Sequence, residues 1–259
     1  MNILQKFKSI APYLIRLIFK LIGKDWNSFY AWLLNKIERK NSFDSIKNIN
    51  RLHGFYSLKG GEHLKHVLIK NGLKKYHRVL DFGCGYGRVG VPLIKYLKKS
   101  SYTGIDLSKE RIRLAKEYVL QKNLLKKNPE FYVSHSKSLN ELLGSKKYDV
   151  IVIYTVIVHN PLKNVEIILH DVKKYLKPKG LIFFDYSEPT NEDLFTKFLG
   201  FKIKLSVKDY RHTFEEIQNI IKKLKLTSQN IPHKNIKGHK WQLNKSFEKN
   251  RRFIKLSKL

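Results

Sequence analysis

Residues 79–90 read VLDFGCGYGRVG. The apolar residues at the start are followed by the carboxylate Asp81, and glycines then stand at positions 83, 85, 87 and 90. Glycine has the most backbone entropy to lose, so such a run predicts a loop that must lie close to a ligand. A second carboxylate, Asp106, ends the next apolar run, YTGID. A carboxylate at a strand tip can accept hydrogen bonds from both hydroxyls of a ribose. The two motifs together predict a site for a cofactor that contains a nucleoside.

The glycine spacing fits two classes of cofactor. Residues 85–90 match G-x-G-x-x-G, and Asp106 follows them at the distance that dinucleotide-binding sites use. However, the first glycine of the loop is Gly83, two residues after Asp81. The negative charge of Asp81 would not help to bind a pyrophosphate. It would help to bind a cofactor with an amino-acid end, because Asp81 can hold the ammonium group of that cofactor directly or through water. An NAD(P)-dependent oxidoreductase is the second interpretation.

The elements that must position these residues alternate between strand and helix from Leu64 onward. Such alternation predicts a parallel, doubly wound sheet, with ligands bound at the carboxyl ends of its strands. Strands are predicted at 77–82, 101–106, 130–135, 148–156 and 181–186, with two more near 226–232 and 238–244; helices are predicted at 88–97, 108–120, 165–176 and 213–226, the third ended by KPKG.

Four segments of the chain resemble the successive motifs of class I S-adenosylmethionine-dependent methyltransferases. In chain order they are VLDFGCGYGRVG, YTGIDLS, YDVIVIYTVIVHNPL and LKPKGLIFFD. The resemblance covers roughly residues 62–186 and, more loosely, 207–245. It implies an α/β, Rossmann-like fold: a mostly parallel, seven-stranded sheet with helices on both faces. It also implies S-adenosyl-L-methionine as the cofactor. The cofactor-binding positions that it implies are Asp81, Gly83, Gly85 and Gly87 at the methionine end, Asp106 at the ribose, and Leu107 against the adenine.

The resemblance also points to the adenine and acceptor positions. Many family members have an acidic residue after the third strand, where this chain has Ser134, His135 and Ser136, and we expect Ser136 or backbone groups to take its place. After the fourth strand, His159 is a candidate general base or a residue that orders its loop, since its ordinary pKa is near neutrality. Tyr154 is the second candidate catalytic residue. Asn160 and Tyr186 are expected to border the acceptor pocket, and the histidines form no metal-binding pattern.

Charge and cysteine content bound the possible partners. The 52 Lys and Arg against 21 Asp and Glu give a net charge of +31, which attracts nucleic acid, anionic lipid or acidic small molecules. Coding biased towards A and T would also produce this Lys-, Ile- and Asn-rich composition. The single cysteine, Cys84, excludes an intrachain disulfide, suits a reducing, cytoplasmic location and is interpreted as a packing residue. Arg88 is expected to reach an acidic group near the loop or to form a surface salt bridge.

The two ends are predicted as appendages of one methyltransferase domain at 61–245, in which 188–212 is a possible lid. Residues 1–60 form a basic and aromatic helical extension, with one helix from Pro12 to Gly23 and a second capped by Asp25. The apolar run at 10–22 is too short to span a bilayer. The extension is either a peripheral membrane contact through residues 1–40 or a lid or dimer contact. Residues 246–259 are predicted as a basic tail.

The acceptor is ranked by analogy alone. A small molecule or glycan comes first, a membrane lipid or quinone second, and RNA third, because no RNA-binding module is recognisable. A non-enzymatic, basic protein that binds nucleic acid or membrane on the same scaffold is the remaining alternative.

Overall fold

In a computed structural model of the chain, the structure describes residues 21–23, 25–39, 58–135, 137–189, 210–231 and 250–258. Seven α-helices lie in these ranges: α1 (Trp26–Glu38), α2 (Leu58–Lys70), α3 (Gly90–Tyr96), α4 (Lys109–Gln121), α5 (Leu139–Leu143), α6 (Leu162–Lys173) and α7 (Phe214–Lys223). The strands are β1 (Val79–Phe82), β2 (Tyr102–Asp106), β3 (Glu130–Val133), β4 (Tyr148–Ile153), β5 (Leu176–Ser187), β6 (Leu226–Asn230) and β7 (Arg251–Lys258). Short 3-10 turns occupy Leu125–Lys127 and Ile157–His159.

The seven strands form one sheet in the order β3-β2-β1-β4-β5-β7-β6. Strands β1 to β5 pair in parallel, whereas β7 is antiparallel to both β5 and β6. The strand order reverses between β1 and β4, so the carboxyl ends of β1, β2 and β4 meet at a point where open sheets bind ligands. The predicted fold class is confirmed.

Helices cover both faces of the sheet, and each face has its own apolar core. On one face, residues of α2, α3 and α4 pack with Val79, Val150 and Phe183 of the strands. On the other face, residues of α5, α6 and α7 pack with Ile151, Ile182 and other strand residues. Both cores are needed because the central strands are nearly continuous apolar runs with side chains on both faces.

Two predicted elements near β5 and β7 were wrong. Helix α6 ends at Lys173, and the segment 177–180 lies inside β5, where the pairing register with β4 shifts between Tyr148 and Val150. The helical pattern was extended too far because Leu176 is apolar, yet it pairs with Tyr148 as a strand residue. At the C-terminus, residues 251–258 form β7, between β5 and β6, where a basic tail was expected. The strand predicted at 238–244 lies outside the described residues.

The described part of the N-terminal extension is a helix packed on the domain. Asp25 accepts a hydrogen bond from the Ser28 N–H (2.8 Å), which confirms the predicted cap of α1. Phe29 and Leu33, on the apolar side of α1, are buried. These two side chains of α1 are therefore packed within the fold. Within the described ranges, no helix is both long and apolar enough to cross a bilayer. Most of the helix predicted from Pro12 to Gly23 and most of the lid segment 188–212 lie outside those ranges; of the former, Leu21 is helical and residues 22–23 form a turn.

We expect Phe253→Ala to lower the free energy of unfolding by about 3–5 kcal/mol, as for other buried aromatic side chains. Phe253 is fully buried in β7 and stacks on Phe183, with ring centroids 6.1 Å apart. Urea unfolding followed by circular dichroism measures the change, and Lys255→Ala, in the same strand but partly exposed, is the matched control. Equal, small effects of both substitutions would show that the C-terminal segment does not belong to the core.

Candidate active site

The loop between β1 and α3 can only be built from glycines at its key positions. Gly83 and Gly87 have positive φ angles of 81° and 84°, which other residues rarely adopt. A Cβ atom on Gly83 would also lie 2.3 Å from Val156 Cγ2. The N–H groups of Gly83 and Cys84 both donate to the Ile105 carbonyl, at 2.7 and 2.9 Å. The glycine loop, residues 83–87, is therefore fixed against the end of β2.

Asp106 ties the glycine loop to the start of α4. One carboxylate oxygen accepts the Gly85 N–H and the other accepts the Ser108 N–H, both at 2.9 Å. Burial raises the pKa of Asp106, and the charge of Arg111 together with these two hydrogen bonds opposes that rise. A carboxylate offers about four acceptor positions, so each oxygen can take a further donor from a ligand.

Asp81, at the end of β1, is a buried carboxyl group held by a phenol. The Tyr102 hydroxyl donates to it at 2.8 Å, and Gly90 leaves room for that hydroxyl, since a Cβ there would lie 2.3 Å from it. Burial raises the pKa of Asp81 to about 7, and the nearby Asp106 charge raises it too, against the Tyr102 hydrogen bond and the Arg88 charge. Such a group is poised to gain or lose its proton near neutrality, and a bound cation would favour its ionised form.

Two adjoining cavities open at the carboxyl ends of β1, β2 and β4. The first cavity lies beside Asp106, and the second cavity lies beside Asp81. Both are lined by Gly83, Arg111, Thr155 and His159, so they are continuous. The first is also lined by Asn27, Tyr30, Leu34, Asp106, Leu107, Ser134 and Asn160; the second is also lined by Asp81, Gly85, Tyr86, Arg88 and Tyr154.

Helix α1 forms a roof over the first cavity. Its Asn35 side-chain oxygen accepts the Ser108 hydroxyl at 2.8 Å, and Glu38 forms an ion pair with Arg111 at 3.5 Å. The Tyr30 ring lies 5.5 Å from the His159 ring, centroid to centroid. The extension thus contributes side chains to the site and holds the residues around Asp106 from outside.

The sequence analysis did not identify a cluster of mostly buried residues next to the second cavity, formed by Arg88, Thr155, Asp185 and Arg251. Thr155 has a positive φ of 60°; its N–H donates to Asp185 (2.6 Å) and its hydroxyl accepts from Arg88 (2.8 Å). Asp185 is fully buried and forms an ion pair with Arg251 of β7. The carboxylate inside the apolar run LIFFDY is the signal that could have revealed it, because a buried charge needs a partner.

Tyr154 is enclosed by this group. The guanidinium carbons of Arg88 and Arg251 lie 5.4 and 5.3 Å from its ring centroid, and Phe253 meets it edge to face. Arg88 is therefore buried among Tyr154 and Thr155, and a surface salt bridge was the wrong expectation.

The structure brings together most of the residues that the sequence singled out. Asp81, the glycine loop, Asp106, Leu107, Tyr154 and His159 all line the two cavities, except that Gly87 supports the loop from behind, where it meets Ala115. Asn160 lines the first cavity as expected, but Tyr186 is buried in the core and lines neither. His135 is exposed, and Ser136 lies outside the described residues.

The chain matches the family model described as a methyltransferase domain over residues 73–250. It is 27% identical over 129 residues to a ribosomal protein L11 methyltransferase of Thermotoga neapolitana, which covers 49% of this chain and only 44% of that protein. It is 27% identical over 178 residues to a ubiquinone biosynthesis O-methyltransferase of Histophilus somni, with 67% of this chain and 71% of that protein covered. The chain thus spans less than half the length of the Thermotoga relative.

The fold is also found in solved structures. Magnesium protoporphyrin IX methyltransferase from Synechocystis PCC 6803 with bound SAH matches with a TM-score of 0.58 and 14% identity, over 95% of this chain and 99% of that chain. A protein from Pyrococcus horikoshii matches with a TM-score of 0.55 and 20% identity, over 76% of this chain and 89% of that chain. These likenesses concern the fold.

We expect Asp81→Asn to remove a pH dependence from the stability of the unliganded protein. Folding raises the pKa of Asp81 from 3.8 to about 7, so the folded state binds the proton more tightly and the protein loses stability as pH rises between these values. The asparagine can still accept the Tyr102 hydrogen bond but cannot ionise. Relative to wild type, the free energy of unfolding of the variant should rise by about 1.4 kcal/mol for each unit of difference between the two pKa values. This rise should be complete above about pH 7.

Urea unfolding at several values between about pH 4 and 8 measures this difference. Asp149→Asn is the matched control: hydrogen bonds and the Lys177 charge outweigh partial burial and lower the pKa of Asp149, so its contribution changes only below this range. Parallel stability curves for wild type and Asp81→Asn would show that Asp81 does not titrate as described.

Proposed function

The chain belongs to the methyltransferase-domain family, and from that membership we propose that it transfers a methyl group from S-adenosylmethionine to an acceptor bound beside His159. One observation carries the proposal: the glycine loop joins a cavity at Asp106 to a second cavity at the buried Asp81. S-adenosylmethionine has an adenosine, with its ribose hydroxyls, at one end and an amino acid at the other, which suits these two carboxylates.

We assign the first cavity to the adenosine part. Asp106 would accept the two ribose hydroxyls with the lone pairs that Gly85 and Ser108 leave available. Leu107 and Ser134 line the same cavity and would contact the base from the strand side. Leu34 and Tyr30 of α1 would cover it from the other side. The roof would exclude water and retain the nucleoside.

We assign the second cavity to the methionine part. Asp81 would take the ammonium group, and the ionised form of Asp81 would then be favoured because an opposite charge lies beside it. Arg88 lines the same cavity as a buried cation and matches the carboxylate of the amino acid. Cofactor binding would therefore release a proton at a pH below about 7, the pKa of free Asp81.

The chemistry follows from alignment. The sulfonium supplies an already activated methyl group, so the protein has to place the acceptor in line with the methyl–sulfur bond and exclude water. His159 lines both cavities and lies on the 3-10 turn after β4, beside the junction where the methyl group would sit. With a hydroxyl acceptor, His159 would take the acceptor's proton as the new oxygen–carbon bond forms and the methyl–sulfur bond breaks, which would leave S-adenosylhomocysteine. Tyr154 is packed against two guanidinium groups, which suits a wall of the cavity better than a proton acceptor.

For the acceptor, we propose a small molecule or glycan first, a quinone or membrane lipid second and RNA third. This order rests on analogy with stand-alone methyltransferases that carry similar motifs. The Histophilus relative named for ubiquinone biosynthesis supports keeping the second class. We place the protein in the cytoplasm, with any membrane contact left to the segment before α1.

We expect Asp106→Ala to weaken binding of S-adenosylhomocysteine at least 100-fold, because it removes a charged acceptor of two hydrogen bonds. Isothermal titration calorimetry measures the affinity, and circular dichroism checks the fold. Glu110→Ala is the matched control: it removes a nearby carboxylate, in the first turn of α4, and should leave the affinity unchanged. Unchanged affinity in Asp106→Ala would refute the site, and binding of NADH at millimolar concentration would support a dehydrogenase instead.

We expect label from methyl-tritiated S-adenosylmethionine, incubated with the protein and a host extract, to enter small polar material rather than lipid, RNA or protein. His159→Gln should slow this transfer at least tenfold while leaving the affinity for S-adenosylhomocysteine unchanged, since the proton acceptor acts only in the transfer step. An Asp106→Ala reaction is the blank. Label in the organic phase or in RNA would contradict the acceptor ranking. Full activity of His159→Gln would show that His159 is not the general base.

A further inference from the structure

Pairs of adjacent lysines recur at equivalent places in the fold, shortly before a strand. The chain contains six Lys-Lys dipeptides, and each one stands one to four residues before the next strand, from β1 to β6: Lys74-Lys75, Lys98-Lys99, Lys126-Lys127, Lys146-Lys147, Lys173-Lys174 and Lys222-Lys223. These six strands run in the same direction, so all the pairs lie at the edge of the sheet formed by the amino ends. We call this edge the lysine face; the two cavities lie at the opposite edge.

Hydrogen bonds join the turns that carry the pairs into two groups, which adjoin where β1 pairs with β4. The Lys98 N–H donates to the Lys75 carbonyl and the Ser100 N–H to the Lys127 carbonyl, both at 2.8 Å, which joins the turns before β1, β2 and β3. The Lys147 ammonium donates to the Lys174 carbonyl at 2.6 Å, which joins the turns before β4 and β5. The Lys173 ammonium donates to Leu224, just before β6.

Most of this charge faces solvent. Nine of the twelve lysines are exposed; the three partly buried ones are Lys127, Lys146 and Lys173. Among the described residues, the carboxylates Glu130, Asp149 and Asp171 of this edge are paired with Lys146, Lys177 and Lys174, and Glu166 of α6 is paired with Lys223. The lysines also act on one another: burial lowers the pKa of Lys258, at the same edge, and the charges of Lys147 and Lys173 lower it further. An anionic partner would relieve this repulsion.

We propose that the lysine face binds the phosphate backbone of single-stranded RNA, as a docking surface separate from the methyl-transfer site. Neighbouring strands lie about 4.8 Å apart, so six intervals spread the pairs over about 29 Å. Each strand is rotated by about 20–25° from the next, so the row of charges twists across the sheet. A flexible strand of phosphates can follow such a row, whereas a flat membrane cannot touch all of it at once.

Exposed apolar side chains at this edge suit the same partner. Tyr76 is 64% exposed and follows the first lysine pair, and Leu125 is 57% exposed and precedes the third. Single-stranded nucleic acids bind to surfaces that combine a track of positive charge with aromatic rings on which bases stack. The proposal does not depend on methyl transfer, because the lysine face shares no residue with the two cavities.

The test compares two variants with the same change in net charge. One replaces Lys74, Lys75, Lys98 and Lys99 by Gln; the control replaces Lys109, Lys116, Lys137 and Lys163, which are exposed elsewhere on the chain. Fluorescence anisotropy with a labelled oligouridine of roughly 15 nucleotides gives the affinity between 50 and 200 mM salt. Circular dichroism and S-adenosylhomocysteine binding, unchanged in both, show that fold and cofactor site are intact.

We expect wild type to bind with a steep salt dependence. The face variant should lose at least about tenfold in affinity and flatten the slope of log K against log salt by about 2 to 3, as four lost phosphate contacts imply, and the control should change little. Equal losses in both variants would overturn the proposal, since only net charge would then matter. Wild-type binding to roughly 3:1 phosphatidylcholine–phosphatidylserine vesicles without binding to oligouridine would also overturn it in favour of a membrane.

Discussion

The arrangement of the site depends on carboxylates held at the ends of buried strands. A buried charge must be paired or hydrogen-bonded, and at Asp106 the partners are two backbone N–H groups from the loops on either side. That single requirement fixes how close the glycine loop comes to the end of β2 and where α4 begins. It also explains the glycines: with the loop held so close, Gly83 has no room for a side chain beside Val156. Asp81 has no cation of its own at hydrogen-bonding distance among the described contacts, which is what makes it receptive to a ligand cation.

The second carboxylate that organises the site is Asp185, and it connects the site to the C-terminus. Its ion pair with Arg251 lies inside the sheet, and its other oxygen holds Thr155 in a backbone conformation with positive φ. Residues kept in such conformations are overdetermined by their surroundings. Arg251 and Arg88 both lie against the ring of Tyr154, so β7 helps to shape the cavity at the end of β1. A chain lacking β7 would lose more than an edge of the sheet, because β7 lies between β5 and β6.

The sequence predicted the parallel core well because its signals are local. Apolar runs that end in Asp81 and Asp106 locate β1 and β2, and Thr213 with Glu216 forms the predicted capping box of α7. What failed depends on distant partners. Leu176 continues a helical pattern, and only its pairing with Tyr148 makes it a strand residue. Basic residues in 250–258 indicated a solvated tail, but Arg251 is buried by an aspartate 66 positions earlier in the chain. The roles of α1 and Thr155 likewise follow from tertiary contacts that no short motif records.

The position of the lysine pairs separates two explanations of the basic charge. Coding bias would raise lysine content everywhere, but it would not place every Lys-Lys dipeptide before a strand of the same direction. Helix ends offer a second explanation, since a cation near the C-terminus of a helix gains about 0.3–1 kcal/mol from the helix dipole. That accounts for Lys173 in the last turn of α6 and for Lys222 and Lys223 in the last turn of α7. It does not account for the pair within the 3-10 turn before β3, nor for the pair before β4, which Gly144 separates from the five-residue α5. Burial lowers the pKa of Lys258, and the charges of Lys147 and Lys173 lower it further; binding to an anion would offset that second, repulsive contribution.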